Sequence, residues 1–151
     1  VWINIEIKPA PSAATRTGEV VSRATARLYA DLVQPGGDAP DRLVAGVPLF
    51  SSFEREALVA ARAAAPDVPR GYLLDRIPPD WQAQLQALGC VALHTNHRHL
   101  TRELAAQVKD AGYWLFCYTV NELSRAQEIL GWGVDAFCTD RIDLIPPTLA
   151  G

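Results

Sequence analysis

Glu6 and Lys8 are the residues of this sequence whose types and spacing point most directly to chemistry. They stand two positions apart in the run Asn-Ile-Glu-Ile-Lys-Pro, in which isoleucines alternate with polar residues. Such alternation predicts a β-strand that carries both side chains on one face, about 7 Å apart. A carboxylate suits a hard cation and an ammonium suits a phosphate oxygen. An ion pair between the two side chains is the structural alternative, and it stays open.

Three histidines form a second group, His94, His97 and His99, in the run His-Thr-Asn-His-Arg-His. Clustered imidazoles are typical of transition-metal ligands, but this spacing matches no closed zinc pattern. We therefore interpret the run as an exposed polar loop after a strand over residues 90–93. Such a loop at the end of a strand is also a place where substrate is contacted.

Three further groups of polar and aromatic residues follow predicted strands. Ser52, Asn121 and Asp140 can each be interpreted as the cap of a following helix. We favour this structural interpretation for Asn121 and Asp140. For the aromatic residues Phe53 and Tyr118, packing in a core and contact with a ligand are both open.

Strands and helices are predicted to alternate strictly along the chain. Strands are predicted at residues 2–8, 47–51, 71–74, 90–93, 113–120 and 134–139, and helices at 18–33, 53–65, 79–88, 101–111 and 122–130. The first helix is expected to bury an apolar face made of Val20, Val21, Ala24, Leu28 and Leu32. Because no hairpin signal joins two strands, the class is α/β with a parallel sheet. The polar face of the first strand favours a (β/α)8 TIM-type barrel over a doubly wound sheet.

Composition narrows the function classes. The 151 residues include 14 Lys and Arg against 17 Asp and Glu, without a basic block, so nucleic acid is a poor candidate partner. The three cysteines lack CxxC spacing, which is typical of free thiols in a reducing compartment and indicates the cytoplasm. No apolar run approaches the ~18 residues of a membrane span, and no targeting segment is visible.

Five strand-end motifs carry a resemblance to a known family. They are Asn-Ile-Glu-Ile-Lys-Pro at 4–9, Ser-Ser-Phe at 51–53, Leu-His-Thr-Asn-His at 93–97, Tyr-Thr-Val-Asn at 118–121 and Gly-Val-Asp-Ala-Phe-Cys-Thr-Asp at 133–140. In this order the chain resembles the glycerophosphodiester phosphodiesterases, especially the cytoplasmic bacterial kind. The resemblance implies a (β/α)8 barrel of which residues 1–151 form the C-terminal part, with strands 3 to 8. It also implies hydrolysis of glycerophosphocholine, glycerophosphoethanolamine and similar diesters to sn-glycerol 3-phosphate and an alcohol.

The resemblance gives roles to individual residues. Glu6 is expected to bind a divalent metal, Mg²⁺ or Ca²⁺, and Lys8 to contact the phosphate, while Phe53 and Tyr118 are expected substrate contacts. Tyr118 departs from the family, which often has Trp at this position, and this puts the headgroup preference in question. The family's two acid and base histidines lie in upstream motifs that do not occur here, so they are not assigned to the histidines of this chain. The 151 residues alone are expected to be nearly inactive.

Two alternatives to the phosphodiesterase remain. One is a catalytically incomplete phosphate-binding or partner-binding module, which the missing histidines motivate. The other is a phospholipase that acts on lipid-embedded substrates, which is ranked last because no membrane-contact insertion is visible. Six parallel strands would leave two sheet edges unpaired, so we expect further residues or another chain, as in a homo-oligomer, to cover them.

Overall fold

The computed structural model describes residues 3–33, 46–146 and 149, and it forms two compact units. The first comprises Val1–Leu73 and Gln82–Val91, and the second comprises Leu74–Trp81 and Ala92–Gly151. Six strands and five helices alternate in the described residues: β1 (Asn4–Glu6), α1 (Ala14–Leu28), β2 (Leu49–Ser52), α2 (Arg55–Ala64), β3 (Arg70–Leu74), α3 (Trp81–Leu88), β4 (Ala92–Asn96), α4 (Arg102–Asp110), β5 (Trp114–Tyr118), α5 (Leu123–Leu130) and β6 (Ala136–Phe137).

The first unit contains a parallel run of strands in sequence order. β1 pairs with β2 and β2 pairs with β3, so that Glu6 lies opposite Ser51. The alternation predicted for the first strand is confirmed, because Ile7 is buried while Glu6 and Lys8 are exposed. Ile7 joins Phe50 and apolar residues of α2 in one hydrophobic core. Burial of the isoleucine face therefore turns the polar face of β1 away from this core.

The buried face of α1 matches the predicted one only in part, at Val21, which packs against the hydrophobic core. Val20, Leu28 and Leu32 are exposed, and the residues of α1 that are buried are Gly18, Ser22 and Thr25. A Cβ on Gly18 would stand 2.4 Å from the carbonyl oxygen of Ala57. The two helices thus approach through small residues, which a search for large apolar residues at helical spacing does not detect.

The second unit contains the other parallel run. β4 pairs with β5 and β5 pairs with β6, so that His94 lies opposite Phe116 and Asn96 opposite Tyr118. Leu93, Leu115 and the inward residues of α4 and α5 are buried. β4 extends three residues beyond the predicted strand end at residue 93, and this extension includes His94.

The topology confirms the predicted fold class. Within each unit, strands that are consecutive in the sequence pair in parallel, with a helix between them. This is the pattern of a (β/α)8 barrel, whereas a doubly wound sheet reverses its strand order at a switch point. Trp2, at the start of the predicted first strand, lies outside the described residues. Among the helices described, none combines the length and apolar character that crossing a membrane requires.

Candidate functional site

In the first unit, Glu6 and Lys8 lie at the carboxyl end of β1 and share one face, as the sequence predicts. Their side chains are 37% and 78% exposed, and Lys8 Nζ lies 3.4 Å from Glu6 Oε1. The ion pair left open by the sequence therefore forms. Exposed pairs of this kind contribute at most about 1 kcal/mol. Both charged groups can consequently exchange this contact for a ligand.

Ser52 holds Ile7, the residue between Glu6 and Lys8. Its buried hydroxyl donates a hydrogen bond to the carbonyl oxygen of Ile7 at 2.7 Å, and the Ile7 N–H donates to Ser51 O at 2.6 Å. The capping role considered for Ser52 is wrong, since the N-cap of α2 is Glu54. The Glu54 N–H does donate to Ser52 Oγ, at 3.1 Å. Ser52 thus fixes the end of β1 where its two charged side chains emerge.

Phe53 and Ser51 complete this strand end. Phe53 is 46% exposed, so packing in the core, the alternative considered for it, is wrong. Ser51 is paired in register with Glu6, and its fully buried hydroxyl has no hydrogen-bond partner among the described residues. A polar group left unsatisfied beside a charged pair is an unusual feature of a folded protein.

The donor chemistry here fits a hard divalent cation in part. Glu6 offers one carboxylate, and such cations prefer oxygen ligands. In residues 3–33, 46–146 and 149 there is no group of three or more His, Cys, Asp or Glu side chains that could hold a metal ion. Within these residues Glu6 therefore belongs to no cluster of His, Cys, Asp and Glu that could hold the ion by itself. The same finding gives no support to a metal held by the three histidines.

The three histidines of the second unit occupy different environments. The exposed-loop prediction is wrong for His94, which lies within β4, is fully buried and packs against Phe116 with ring centroids 4.7 Å apart. Burial lowers the pKa of His94 to about 3. His97 is half-buried, and burial together with the nearby charge of Arg125 also lowers its pKa.

A polar cluster at the carboxyl ends of β4 and β5 includes a residue that the sequence did not single out. Asp75 accepts a hydrogen bond from Asn96 Nδ2 at 2.9 Å, and its second oxygen lies 3.5 Å from His99 Nε2. The Tyr118 hydroxyl donates to the carbonyl oxygen of Leu74 at 3.0 Å. This bond fixes the Tyr118 hydroxyl at the backbone of Leu74, the residue before Asp75.

Asn121 and Asp140 do not cap helices as favoured. The N-cap of α5 is Glu122 without a side-chain hydrogen bond, and no helix follows Asp140 among the described residues. Asn121 Oδ1 instead accepts bonds from Thr139 Oγ1 at 3.2 Å and the Asp140 N–H at 2.9 Å. Its amide group donates to Asp140 Oδ2. These bonds join the ends of β5 and β6, a partnership between distant residues that local sequence does not reveal.

Comparison with known proteins gives one family. The model of the Glycerophosphoryl diester phosphodiesterase family matches residues 1–144. None of the curated proteins compared with the chain matches it.

Solved structures agree with this family. A phosphodiesterase from Oleispira antarctica, solved with the product sn-glycerol-3-phosphate, is 30% identical to this chain with a TM-score of 0.72. The match covers 91% of this chain and 50% of the Oleispira chain. A putative glycerophosphoryl diester phosphodiesterase from Silicibacter pomeroyi is 23% identical with a TM-score of 0.71, covering 98% and 48%. One from Galdieria sulphuraria is 17% identical with a TM-score of 0.72, covering 100% and 58%. The last two show the fold alone. The chain spans about half the length of these structures.

Proposed function

The chain belongs to the glycerophosphoryl diester phosphodiesterase family, and we propose that the protein hydrolyses glycerophosphodiesters to sn-glycerol 3-phosphate and an alcohol. The observation that carries the proposal is the match over residues 1–144, within which Glu6 and Lys8 project from one exposed face of β1. The product bound to the Oleispira antarctica relative supports the same chemistry. Glycerophosphocholine and glycerophosphoethanolamine are the substrates we propose.

Lys8 is proposed to bind the phosphate group. Its side chain is 78% exposed, so the ammonium can approach a ligand when it gives up the ion pair with Glu6. Negative charge on the equatorial phosphoryl oxygens must be stabilised in the transition state, and a fixed positive charge does this efficiently. The hydrogen bond from Ser52 to Ile7 holds the backbone beside this ammonium.

Glu6 is proposed to bind a divalent cation, Mg²⁺ or Ca²⁺, together with ligands from outside the described residues. When bound, such an ion acts as a Lewis acid toward the phosphoryl oxygens. Glu6 contributes an oxygen donor whose position is set by the pairing of β1 with β2. Removal of its charge would also release Lys8 from the ion pair between them.

The proposed reaction is a displacement at phosphorus. The oxygen of water or of the glycerol 2-hydroxyl forms a bond to phosphorus, the bond from phosphorus to the headgroup oxygen breaks, and that oxygen leaves with a proton. If the 2-hydroxyl attacks, water then opens the cyclic product. A general base and a general acid are needed for these proton transfers. The family's histidines for these roles have no counterpart in the sequence, so we place both groups outside these residues.

Phe53 and Tyr118 are proposed to contact the organic part of the substrate. Phe53 is partly exposed after β2, and Tyr118 ends β5 with its hydroxyl fixed to Leu74. We further propose that residues 1–151 are the C-terminal part of one barrel domain, since the chain covers only 48–58% of the matched structures. A cytoplasmic location is supported by the free Cys90, Cys117 and Cys138.

Substitution of Glu6 tests the proposed function. In the intact protein we expect Glu6→Gln to lower turnover of glycerophosphocholine by about a hundredfold or more, because an amide binds a hard cation poorly and lacks the negative charge. Glu19→Gln is the matched control, since Glu19 is a similarly exposed carboxylate in an ion pair with Arg23. Both variants should unfold at the wild-type temperature. Wild-type turnover by Glu6→Gln would rule out its role, and wild-type protein that hydrolyses no glycerophosphodiester would rule out the function.

A further inference from the structure

Asp75 presents a carboxylate whose orientation is fixed but whose surface is open. One oxygen accepts the Asn96 amide at 2.9 Å and the other lies 3.5 Å from His99 Nε2, yet the side chain is 62% exposed. Asn96 is itself held, because its Oδ1 accepts the backbone N–H of Arg98 at 3.0 Å. A carboxylate that is already oriented loses little conformational freedom on binding a ligand.

The negative charge of Asp75 is not neutralised by a permanently charged neighbour. Arg76 follows Asp75 in the sequence, and the backbone N–H of Arg98 is bound by Asn96. Neither arginine forms an ion pair with Asp75 in the described part of the chain. The contact with His99 is ionic only if that imidazole is protonated. The carboxylate therefore keeps its capacity to bind a cation.

The Tyr118 side chain is anchored to the backbone one residue before this carboxylate. Tyr118 donates its hydroxyl to Leu74 O, one residue before Asp75, and it lies in register with Asn96, the residue that holds Asp75. A carboxylate with a neighbouring tyrosine is the combination that binds organic ammonium ions, through charge and through the ring. Neutral polyol groups offer no charge to such a pair.

We infer that Asp75 and Tyr118 form a subsite for a positively charged headgroup, so that the protein prefers diesters carrying choline or ethanolamine over diesters with neutral headgroups. This inference rests on the proposed function, and it makes Asp75 a specificity-determining residue of the same reaction. Neither the mechanism proposed above nor the five sequence motifs use Asp75.

The experiment compares two substrate classes in the intact protein. We expect Asp75→Asn to lower kcat/KM for glycerophosphocholine and glycerophosphoethanolamine roughly tenfold relative to kcat/KM for glycerophosphoglycerol, whose headgroup is neutral. Asparagine keeps the oxygen that accepts the Asn96 amide, so the fold should be retained, which thermal unfolding checks. Asp110→Asn is the control, since this exposed aspartate at the end of α4 undergoes the same loss of charge. It should leave the ratio unchanged.

The outcomes separate the subsite from the function. An unchanged ratio in Asp75→Asn, or an equal fall for both substrate classes, would overturn the subsite while hydrolysis by the wild type upholds the function. Tyr118→Leu gives a second test, since it should lower the same ratio while the carboxylate remains.

A binding measurement covers the case in which the wild type hydrolyses no diester. Choline chloride is titrated into the wild-type protein and Asp75→Asn, with binding followed by chemical-shift changes. Choline binding that Asp75→Asn weakens would support the subsite even though the proposed function had failed. Equal binding by both proteins, or no binding by either, would overturn the subsite.

Discussion

The buried imidazole of His94 makes the stability of the protein depend on pH. Neither of its ring nitrogens has a hydrogen-bond partner among the described residues, and it packs on Phe116. Burial disfavours the charged form and lowers the pKa of His94 to about 3. The folded protein therefore keeps this group neutral under conditions in which the unfolded chain protonates it.

The sign of the pH effect follows from this difference. The unfolded chain binds a proton at His94 below a pKa of 6.5, whereas the folded protein binds it only near pH 3. The free energy of unfolding therefore decreases as the pH is lowered from about 6.5 to about 3. We expect the free energy of unfolding to drop by about 2 kcal/mol between pH 7 and pH 5 from this residue. Urea unfolding of the wild type and of His94→Leu at both pH values measures it.

The leucine variant should lack this part of the pH dependence, because it cannot be protonated. His99→Gln serves as the control, since it removes a partly exposed imidazole and leaves His94 in place. Equal pH dependence in the wild type and in His94→Leu would show that His94 does not cause the loss of stability.

Residue types were a good guide to position but not to partners. That Glu6 and Lys8 share one face of β1 follows directly from the alternation around them and could be predicted. The roles of Ser52 and Asp75 could not, because their partners lie 45 and 21 positions away and become neighbours only through strand register. From sequence alone, a polar residue after a short strand can cap the next helix, form a hydrogen bond to a neighbouring strand or contact a ligand.

At the scale of elements, the bond between Ser52 and Ile7 joins the ends of β1 and β2. Ser52→Ala leaves the Ile7 carbonyl without its side-chain donor, which should cost about 1–3 kcal/mol of unfolding free energy. The end of β1 would also lose its fixed position, and small displacements at a reacting group lower turnover strongly. We therefore expect kcat/KM of the intact protein to fall about tenfold or more.

Ser22→Ala is the matched control for loss of the hydrogen bond between Ser52 and Ile7. Ser22 is equally buried, in α1, but its hydroxyl has no hydrogen-bond partner among the described residues. Its removal should change neither stability nor turnover by much. Unfolding in urea and steady-state kinetics of both variants measure the difference, and Ser52→Thr should recover part of the activity if its hydroxyl reaches Ile7. Equal effects of the two alanine substitutions would show that the hydrogen bond between Ser52 and Ile7 does not have this role.

Periodicity predicted the elements better than their buried faces. The alternation of six strands and five helices and the parallel pairing are confirmed in the described residues. The predicted buried face of α1 was right for Val21 but wrong for Val20 and Leu28. The close approach to Ala57 selects the side of the helix that has no Cβ at Gly18. Close packing of backbones depends on the partner helix, which one helix sequence does not specify.

At the scale of the whole molecule, hydrolysis is expected of the intact protein and not of residues 1–151 by themselves. At the end of β1 the chain provides one carboxylate and one ammonium. The resemblance implies a general acid and a general base whose motifs do not occur in residues 1–151, and each such group contributes about 100-fold or more to turnover. The purified 151-residue chain should therefore hydrolyse glycerophosphocholine at least about a thousandfold more slowly than the intact protein.

The comparison requires that the shorter chain be folded, which circular dichroism and a cooperative unfolding transition establish. Peptide mass mapping of the intact protein should then locate the histidine-bearing strands that the resemblance implies. Equal turnover by the two proteins would mean that an acid and a base lie within these residues. His97 and His99 would then be the groups to substitute first, because His94 is fully buried and its low pKa keeps it from accepting a proton at neutral pH. A slow but folded chain would instead localise proton transfer to the rest of the protein and leave Glu6 and Lys8 with the binding of the phosphodiester.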